Sequence, residues 1–354
     1  MIDLRSDTFS LPSMEMRNYM SAAEVGDDYY GEDKSACWLQ DYCKELFGKE
    51  DALFVTSGML ANQLAIGSQT TRGNEVVTEY NYHINLYESA QYAALCHIIL
   101  NGRQTSDGVL LSDDVRQAIE SKPRESPYAQ VELVSIENTI NSWQGKIFPL
   151  DRIRELRAFT QKRGIGLHLD GARIFNAHIA TGVPLNIYAA EVDSLSISFS
   201  KGLGAPFGAV LLGSNEIIGK ARRLRTWYGS GFHQIGFYAR AALFAMQHQL
   251  DKIAEDHRLA KLLAFELRRQ CGFDICSSDV DTNMVFLEVS KIGCDADTFE
   301  KRCYERGLKA LVFPPNRIRL VICRNVNEND VIRATQILVE TIEELQLMER
   351  VEHS

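Results

Sequence analysis

One lysine in this sequence occupies a place where its amine could do covalent chemistry. Lys201 follows an apolar run and enters a glycine-rich turn, within the segment SLSISFSKGLGAPFG of Ser194–Gly208. Burial in such a place lowers the pKa of an ammonium group and supplies the free amine that Schiff-base formation requires. Gly202 and Gly204 would let a ligand approach the backbone closely. A lysine that snorkels from the end of a strand gives the same pattern, so Lys201 by itself leaves both readings open.

A carboxylate lies 31 residues earlier (201 − 170), in the segment GIGLHLDGARIF of Gly164–Phe175. Asp170 ends another apolar strand, and one helix and one strand fit the interval, so Asp170 and Lys201 are expected at the same sheet edge. A carboxylate that faces a pyridinium nitrogen keeps it protonated and makes the ring an electron sink. Although an aspartate here is more often a helix cap, the pair predicts pyridoxal phosphate as the cofactor. Arg173 would donate a hydrogen bond to the phenolic oxygen of this cofactor or to an incoming carboxylate.

A phosphate site is predicted in the segment ALFVTSGMLAN of Ala52–Asn62, which has the pattern of a strand, a tight turn and a helix. Free backbone N–H groups at the start of a helix bind anions. Ser57, Gly58 and Met59 are therefore assigned to the cofactor phosphate. Many α/β turns share this pattern, so the assignment depends on the lysine and the aspartate.

Two further candidates follow the next predicted strand. His83 could stack on the pyridine ring, although a histidine that packs among Tyr80, Tyr82 and Tyr87 is the alternative. Glu88 could act as a general acid or base, or it could be a surface charge. The spacing does not decide between these roles.

Short apolar strands alternate with helix-like segments from about residue 50 to residue 215. The predicted strands are Ala52–Val55, Glu75–Thr78, Cys96–Leu100, Val131–Ile136, Gly166–Leu169, Ser194–Phe199 and Gly208–Leu212. Most are continuous apolar runs, as expected for strands that are covered on both faces. The alternation predicts an α/β domain with a mostly parallel sheet, and binding sites then lie beyond the carboxyl ends of its strands.

The C-terminal part of the chain has a different pattern. A long helix is predicted at Ala239–Cys271, followed by strands at Thr282–Val289 and Ile318–Cys323 and a closing helix at Asn329–Met348. We therefore expect a large domain over residues 1–250 and a smaller α+β domain over residues 251–354. No linker rich in proline, glycine or serine marks the boundary.

Composition limits the classes of function. The chain has 354 residues and a formal charge of −9, which argues against nucleic acid or an anionic membrane as the main partner. Its apolar runs are too short to cross a bilayer, and the N-terminus lacks the apolar stretch of a signal peptide. The 8 cysteines form no C-x-x-C pair. These features predict a cytoplasmic protein with reduced thiols and a small-molecule substrate.

Several motifs together resemble the low-specificity threonine aldolases, which are fold-type I pyridoxal-phosphate enzymes of the aspartate aminotransferase superfamily. The resemblance runs from Ile2 to about Gly213 and continues more thinly to the C-terminus. The motifs, in chain order, are IDLRSDT, VGDDYYGED, ELFGKEDALF, LDGARIFNA, SKGLGAPFG, DTNMVF and IRLV. Their number and order make a chance match implausible.

The resemblance implies roles for the candidates. Lys201 would be the Schiff-base lysine, Asp170 would hold the pyridinium nitrogen, and His83 would stack on the ring. Ser57 and Gly58 would face the phosphate.

For the substrate, Ser6 and Arg319 would hold the carboxylate, and Arg173 would help to anchor both cofactor and substrate. The family also implies a homodimer or homotetramer with active sites at the subunit interface.

The sequence departs from the family at the phosphate end. Met59 replaces a threonine, Thr226 replaces a lysine, and His233, in GSGFHQ of Gly229–Gln234, replaces an arginine that reaches a phosphate. His233 is still the candidate at that position. The cations that could compensate are Arg222, Arg223 and Arg225.

A second group of departures affects catalysis. The family motif ENTHN is ENTIN here, at Glu137–Asn141, with Ile140 in place of histidine. A further histidine that is implicated in aldol cleavage falls at or near Pro127. His83, Glu88 or a water held between them are then the candidate bases for a β-hydroxyl proton.

The expected activity is cleavage of the Cα–Cβ bond of a β-hydroxy-α-amino acid to glycine and an aldehyde. Racemisation, β-elimination or a biosynthetic condensation would all tolerate the loss of the aldolase histidines and stay as alternatives with the same cofactor. A non-catalytic relative is a third possibility, suggested by the altered phosphate site. A Rossmann-type dehydrogenase lacks support because no G-x-G-x-x-G follows a strand.

Overall fold

The structure is a computed structural model that describes residues 1–123, 125, 127–272, 275–276 and 280–352. Its strands are β1 (Ile2–Asp3), β2 (Asp51–Val55), β3 (Glu75–Glu79), β4 (Ile99–Arg103), β5 (Val131–Glu137), β6 (Gly166–Gly171), β7 (Ser194–Ser198), β8 (Ala209–Gly213), β9 (Met284–Glu288), β10 (Leu308–Lys309), β11 (Leu311–Phe313) and β12 (Arg317–Val321). Its α-helices are α1 (Met14–Ser21), α2 (Lys34–Phe47), α3 (Gly58–Gln69), α4 (His83–Leu86), α5 (Ser89–Gln91), α6 (Ser112–Glu120), α7 (Leu150–Gln161), α8 (Ile174–Thr181), α9 (Leu185–Ala190), α10 (Asn215–Trp227), α11 (Gly236–His248), α12 (Lys252–Cys271), α13 (Ala296–Glu305) and α14 (Glu328–Glu352). None of the described helices is both long and apolar enough to span a membrane.

Seven strands form one large sheet in the order β2-β8-β7-β6-β5-β3-β4. β8 runs antiparallel to both of its neighbours, whereas the remaining pairs are parallel. β3, β7 and β8 are buried along their whole length, as expected for strands that helices cover on both faces. The predicted α/β fold with a mostly parallel sheet is confirmed.

One predicted strand has the wrong bounds. The sequence predicts a strand at Cys96–Leu100, but β4 begins at Ile99 and Tyr92–Cys96 forms a π-helical turn. The buried side chains of this turn pack in one apolar cluster with residues of α3 and β3, so their hydrophobicity reflects a helical turn that packs on the sheet. β4 is the edge strand and accommodates the polar Asn101, at which the apolar run ends.

The long helix predicted at Ala239–Cys271 is two helices, because α11 ends at His248 and α12 begins at Lys252. α11 buries Met246 in the core of the large sheet, whereas α12 buries Leu263 in a separate core. α12 also contributes Ile253 to the core of the large sheet, so the chain passes from one core to the other within α12.

The second core belongs to the C-terminal part of the chain. There β11, β12 and β9 form an antiparallel sheet against which α12 and α13 pack, with α14 against both helices. The N-terminus joins this part, since β1 pairs with β10 and Leu4 is buried in the same core. A smaller α+β unit is therefore present at the C-terminus, while its division from the rest at residue 250 stays a prediction.

The carboxyl ends of three neighbouring parallel strands meet at one edge of the large sheet. Glu137 at the end of β5 pairs with Asp170 on β6, and Asp170 pairs with Ser196 on β7. Lys201 follows shortly after the end of β7. The fold thus brings Asp170 and Lys201 to the same edge.

The N-terminal segment depends on Leu4, which is 0% exposed and sits between backbone hydrogen bonds to Lys309 and Val321. We expect Leu4→Ala to lower the free energy of unfolding by about 2–5 kcal/mol, because it leaves a cavity in the C-terminal core. The matched control is Leu11→Ala, a residue that is 63% exposed, with an expected change within about 0.5 kcal/mol. Urea unfolding measures both, and equal effects would show that Leu4 does not anchor this segment.

Candidate active site

A cavity opens at this sheet edge, between the ends of β5, β6 and β7 and the starts of α3 and α4. Its lining residues are Ser57, Gly58, Met59, Asn62, His83, Glu88, Glu137, Thr139, Asn141, Asp170, Ala172, Arg173, Ser198, Ser200 and Lys201. Every predicted catalytic residue is among them. All of the predicted cofactor residues except His233 line the cavity. Of the predicted substrate residues, Arg173 lines the cavity, whereas Ser6 and Arg319 do not.

The Lys201 amine has no hydrogen bond or ion pair with any residue that the structure describes. Burial and, second, the positive charge of Arg173 lower the pKa of Lys201 to about 8. A large share of this amine is therefore unprotonated slightly above neutral pH, which nucleophilic attack on a carbonyl carbon requires.

The turn that carries Lys201 is held by the C-terminal part of the chain. Arg324 donates a hydrogen bond to the Leu203 carbonyl oxygen at 3.3 Å. Its guanidinium packs on Gly204, which has φ +71°, and a Cβ atom there would lie 2.5 Å from the Arg324 Nη1 atom. The glycine is thus required both for the backbone conformation and for this contact.

Asp170 is buried on β6, and two donors fix its carboxylate. The side-chain amide of Asn62 donates to Oδ2 at 2.8 Å, and the Ala172 backbone N–H donates to Oδ1 at 3.0 Å. The carboxylate therefore has a defined orientation in the cavity wall.

His83 and Glu88 form a hydrogen-bonded pair close to Asp170, with ligand atoms of the three residues within 4.8 Å of one another. The His83 Nδ1 atom lies 2.7 Å from Glu88 Oε1, and the Tyr92 hydroxyl donates to Glu88 Oε2 at 2.7 Å. Burial opposes the charged imidazolium, but the Glu88 hydrogen bond and the Asp170 charge together raise the pKa of His83. With Nδ1 engaged by Glu88, the Nε2 atom is the one free to exchange a proton with a ligand.

Glu137 was not among the predicted site residues, although its motif was. Its carboxylate accepts hydrogen bonds of 2.7 Å from the backbone N–H groups of His83 and Asn141. Burial and, second, the charge of Asp170 raise the pKa of Glu137 to about 7. Glu137 thus fixes the start of α4, and with it the position of His83.

Two arginines from different parts of the chain donate to the side-chain oxygen of Asn141, a residue that lines the cavity. Arg173 makes a two-pronged ion pair with Asp7, at 2.7 and 2.8 Å. Burial opposes the charge of the Asp7 carboxylate, but Arg173 lowers the pKa of Asp7 to about 2. Arg319 donates to Asn141 Oδ1 at 2.9 Å and to the Arg5 carbonyl oxygen at 3.1 Å, while its buried Nε–H has no partner among the described residues.

The start of α3 supplies the anion-binding groups. The Ser57 hydroxyl caps the helix by accepting from the Leu60 N–H at 3.2 Å. The N–H groups of Gly58 and Met59 have no partner within the helix, because they belong to its first turn. The hydroxyls of Ser198 and Ser200 line the cavity as well.

His233 and the compensating arginines lie elsewhere. The His233 side chain is 74% exposed and pairs with Asp27 at 2.7 Å. Arg225 is buried and pairs with Asp28, Arg222 donates to the Ala52 carbonyl oxygen, and Arg223 stacks on a tryptophan of α10. Within the described part of this single chain, none of them lines the cavity.

The two positions at which family histidines were expected also lie outside the cavity lining. Ile140 is fully buried in the core, and Pro127 is an exposed residue in a turn.

Sequence reasoning missed Asn62, although it had a signal. Asn62 stands one turn after Gly58 among the buried residues of α3, and a buried polar residue without an assigned partner is unusual. His168 on β6, and Ser194 and Ser196 on β7, alternate with leucine and isoleucine in the same way. Such alternation in strands that are covered on both faces marks a polar layer beneath the cavity.

The cavity fits pyridoxal phosphate at three points. Lys201 offers an amine that has no partner among the described residues, Asp170 offers an oriented buried carboxylate, and Gly58 and Met59 offer N–H groups that have no partner within their helix. The spatial order of amine, carboxylate and anion site around one sheet edge is the arrangement that such a cofactor needs. Fold and cavity together define the fold-type I class of pyridoxal-phosphate enzymes.

Comparisons with known proteins show to which family within this class the chain belongs. Residues 3–290 match the family of the beta-eliminating lyases. The chain is 41% identical over 292 residues to the low specificity L-threonine aldolase of Escherichia coli, which covers 82% of this chain and 85% of that protein. It is 35% identical to low-specificity L-threonine aldolase 1 of Arabidopsis thaliana over 93% of both chains. The chain therefore belongs to the low-specificity L-threonine aldolases within the beta-eliminating lyase family.

Solved structures agree on the fold. A threonine aldolase from Leishmania major superposes with a TM-score of 0.84 at 19% identity, covering 97% of this chain and 100% of that one. A serine palmitoyltransferase from Sphingomonas wittichii superposes with a TM-score of 0.75 at 18% identity, covering 98% of this chain and 88% of that one. At such identities these likenesses establish the architecture alone.

The lowered pKa of Lys201 can be measured without cofactor. We expect trace acetylation of the cofactor-free protein to label Lys201 with a midpoint near pH 8, because the unprotonated amine is the reactive form. Mass spectrometry of the peptide would follow the labelling, and the exposed Lys220 of α10 corrects for loss of reagent. A midpoint near 10.5, the ordinary lysine value, would contradict the account of this site.

Proposed function

We propose that the protein cleaves the Cα–Cβ bond of a β-hydroxy-α-amino acid, giving glycine and an aldehyde, with pyridoxal phosphate as cofactor. The observation that carries the proposal is the cavity whose lining brings together the Lys201 amine, the Asp170 carboxylate and the His83–Glu88 pair. An amine, an electron-sink partner and a base are the groups that this reaction requires. The family to which the chain belongs supports the same reaction.

The residues that would hold the cofactor follow from the fit. Lys201 would bind its aldehyde carbon, Asp170 its ring nitrogen, and His83 would stack on its ring. Ser57, Gly58 and Met59 would bind its phosphate, and the Met59 side chain takes no part because the helix N–H groups provide the contacts. When bound, pyridoxal phosphate accepts the electron pair that bond cleavage leaves on Cα.

Arg319 is the residue we assign to the substrate carboxylate. Its buried Nε–H has no partner in the part of the chain that the structure describes, whereas the guanidinium of Arg173 makes two hydrogen bonds to Asp7. Burial lowers the pKa of Arg319 to about 10, which still leaves the guanidinium charged near neutral pH. Ser6 lies next to Asp7 and would add a hydroxyl donor. A fixed carboxylate directs the Cα–Cβ bond and thereby selects the bond that breaks.

His83 is the base in this proposal. Its Nε2 atom would take the proton of the β-hydroxyl, and the Glu88 carboxylate would stabilise the imidazolium that results. The Tyr92 hydroxyl holds the second oxygen of Glu88, so the first stays directed at His83. This pair takes the place of the family histidines that Ile140 and Pro127 replace.

The predicted homo-oligomer with interfacial active sites is part of the proposal. Two observations support it: Lys201 and Arg173 are the only lysine and arginine side chains among the described residues that line the cavity, and large aromatic side chains are exposed on the same chain. The most exposed of these are Tyr30, Trp227, Tyr29 and Phe265. A basic side chain from a partner subunit would complete the phosphate end. The cytoplasmic location stays a prediction.

His83→Phe tests the base directly, because phenylalanine keeps an aromatic ring but removes the proton acceptor. We expect kcat for aldehyde release from threonine, allo-threonine or phenylserine to fall about 10²- to 10⁴-fold, the usual contribution of a general base. The visible absorption band of the bound cofactor should persist in this variant and be absent from Lys201→Ala.

His248→Phe, the same substitution at an exposed position of α11, is the matched control and should keep the wild-type rate. If His83→Phe kept the wild-type kcat, the assignment of the base would be wrong. If the wild type showed no cofactor band after pyridoxal phosphate is added, the proposed function itself would fail.

A further inference from the structure

A continuous chain of buried polar groups lies beneath the cavity, between α3 and the large sheet. On α3, Asn62 and Gln69 are seven residues apart and therefore share one face of the helix. His168 and Asp170 share one face of β6, and Ser194 and Ser196 share one face of β7. The sheet register pairs the members of these two sets directly.

Hydrogen bonds link these groups in a series that runs from Gln69 to Asn62. Gln69 Nε2 donates to Ser194 Oγ at 2.7 Å, and Ser194 Oγ lies 2.8 Å from His168 Nδ1. His168 Nε2 lies 3.2 Å from Asn62 Oδ1, to which the Ser196 hydroxyl donates at 2.6 Å. Each donor in this series of hydrogen-bonded groups has an acceptor, as a buried polar network requires.

The amide of Asn62 ends the chain between two carboxylates. Its Nδ2 atom donates to Asp170 Oδ2 at 2.8 Å and to Glu88 Oε1 at 3.4 Å. A ligand atom of each carboxylate and one of His83 lie within 4.8 Å of one another. At this separation two unshielded carboxylates would repel each other, and the N–H₂ group between them offsets that repulsion.

His168 and Ser196 determine the orientation of the Asn62 side-chain amide. An Asn62 oxygen that faced Asp170 and Glu88 would have no donor, so the nitrogen must face them and the oxygen must face His168 and Ser196. Burial lowers the pKa of His168 to about 4, so its ring is neutral and carries one proton. That proton belongs on Nε2, where it is donated to Asn62, because Nδ1 accepts the Ser194 hydroxyl.

We propose that Asn62 is a positioning residue, which holds the carboxylates of Asp170 and Glu88 toward the cavity while His168 and Ser196 fix its amide. The inference rests on the proposed function, since it acts through the group assigned to the cofactor nitrogen and the group assigned to the base. Neither His168 nor Ser196 lines the cavity, so within the described structure both act on it only through other residues.

Asn62→Ala and Ser196→Ala, singly and together, test this coupling. We expect Asn62→Ala to raise the Kd for pyridoxal phosphate, measured by titrating the cofactor-free protein, and to lower kcat for aldehyde release. Each loss should be about 10- to 100-fold, the range found when partners that orient metal ligands are removed. Ser196→Ala should have a smaller effect alone and none in the Asn62→Ala background, because it acts through that amide.

Ser68→Ala is the matched control: it removes a buried hydrogen bond from the same helix, to the Ala65 carbonyl oxygen that Gln69 also binds, and this hydroxyl donates to no member of the network. It should change Kd and kcat less than about twofold. Wild-type Kd and kcat in Asn62→Ala, or fully additive effects of the two substitutions, would overturn the inference. If the wild type binds the cofactor but cleaves no β-hydroxy amino acid, the proposed function fails, while the Kd values still decide the role of Asn62.

Discussion

Burial of negative charge at one edge of the large sheet is the constraint on which the rest of the structure depends. Four carboxylates lie in or beside the cavity and are nearly inaccessible to solvent: Asp7, Glu88, Glu137 and Asp170. A carboxylate removed from water is costly unless donors surround it. Each of the four has donors, and Asn62 donates to two of them, Asp170 and Glu88. The site is therefore an arrangement of buried carboxylates whose donors come from several elements of the fold.

The two ends of the chain meet at this edge. β1 pairs with β10 and places Asp7 against Arg173, while β12 carries Arg319 to Asn141. Arg324, shortly after β12, holds the turn of Lys201. The C-terminal α+β part thus contributes the group assigned to the substrate carboxylate and stabilises the turn assigned to the cofactor.

The sequence predicts the large sheet and the meeting of Asp170 with Lys201, because buried parallel strands are apolar runs whose carboxyl ends coincide. It does not predict Asn62, since its partners lie on strands far along the chain and only the register brings them together. It also misses the break between α11 and α12, because both helices are amphipathic and residues 249–251 between them include no proline or glycine. His233 was assigned by analogy of motif, and in the single chain its side chain faces solvent beside Asp27.

Cleavage of the carbon–carbon bond is the step to measure, because racemisation and β-elimination would use the same cofactor and the same cavity. Proton NMR of the cofactor-loaded enzyme with phenylserine in deuterium oxide follows both possible bonds in one experiment. The account predicts that glycine and benzaldehyde appear in equal amounts. Deuterium at Cα of the recovered substrate, with no aldehyde, would contradict it and favour an enzyme that acts on the Cα–H bond.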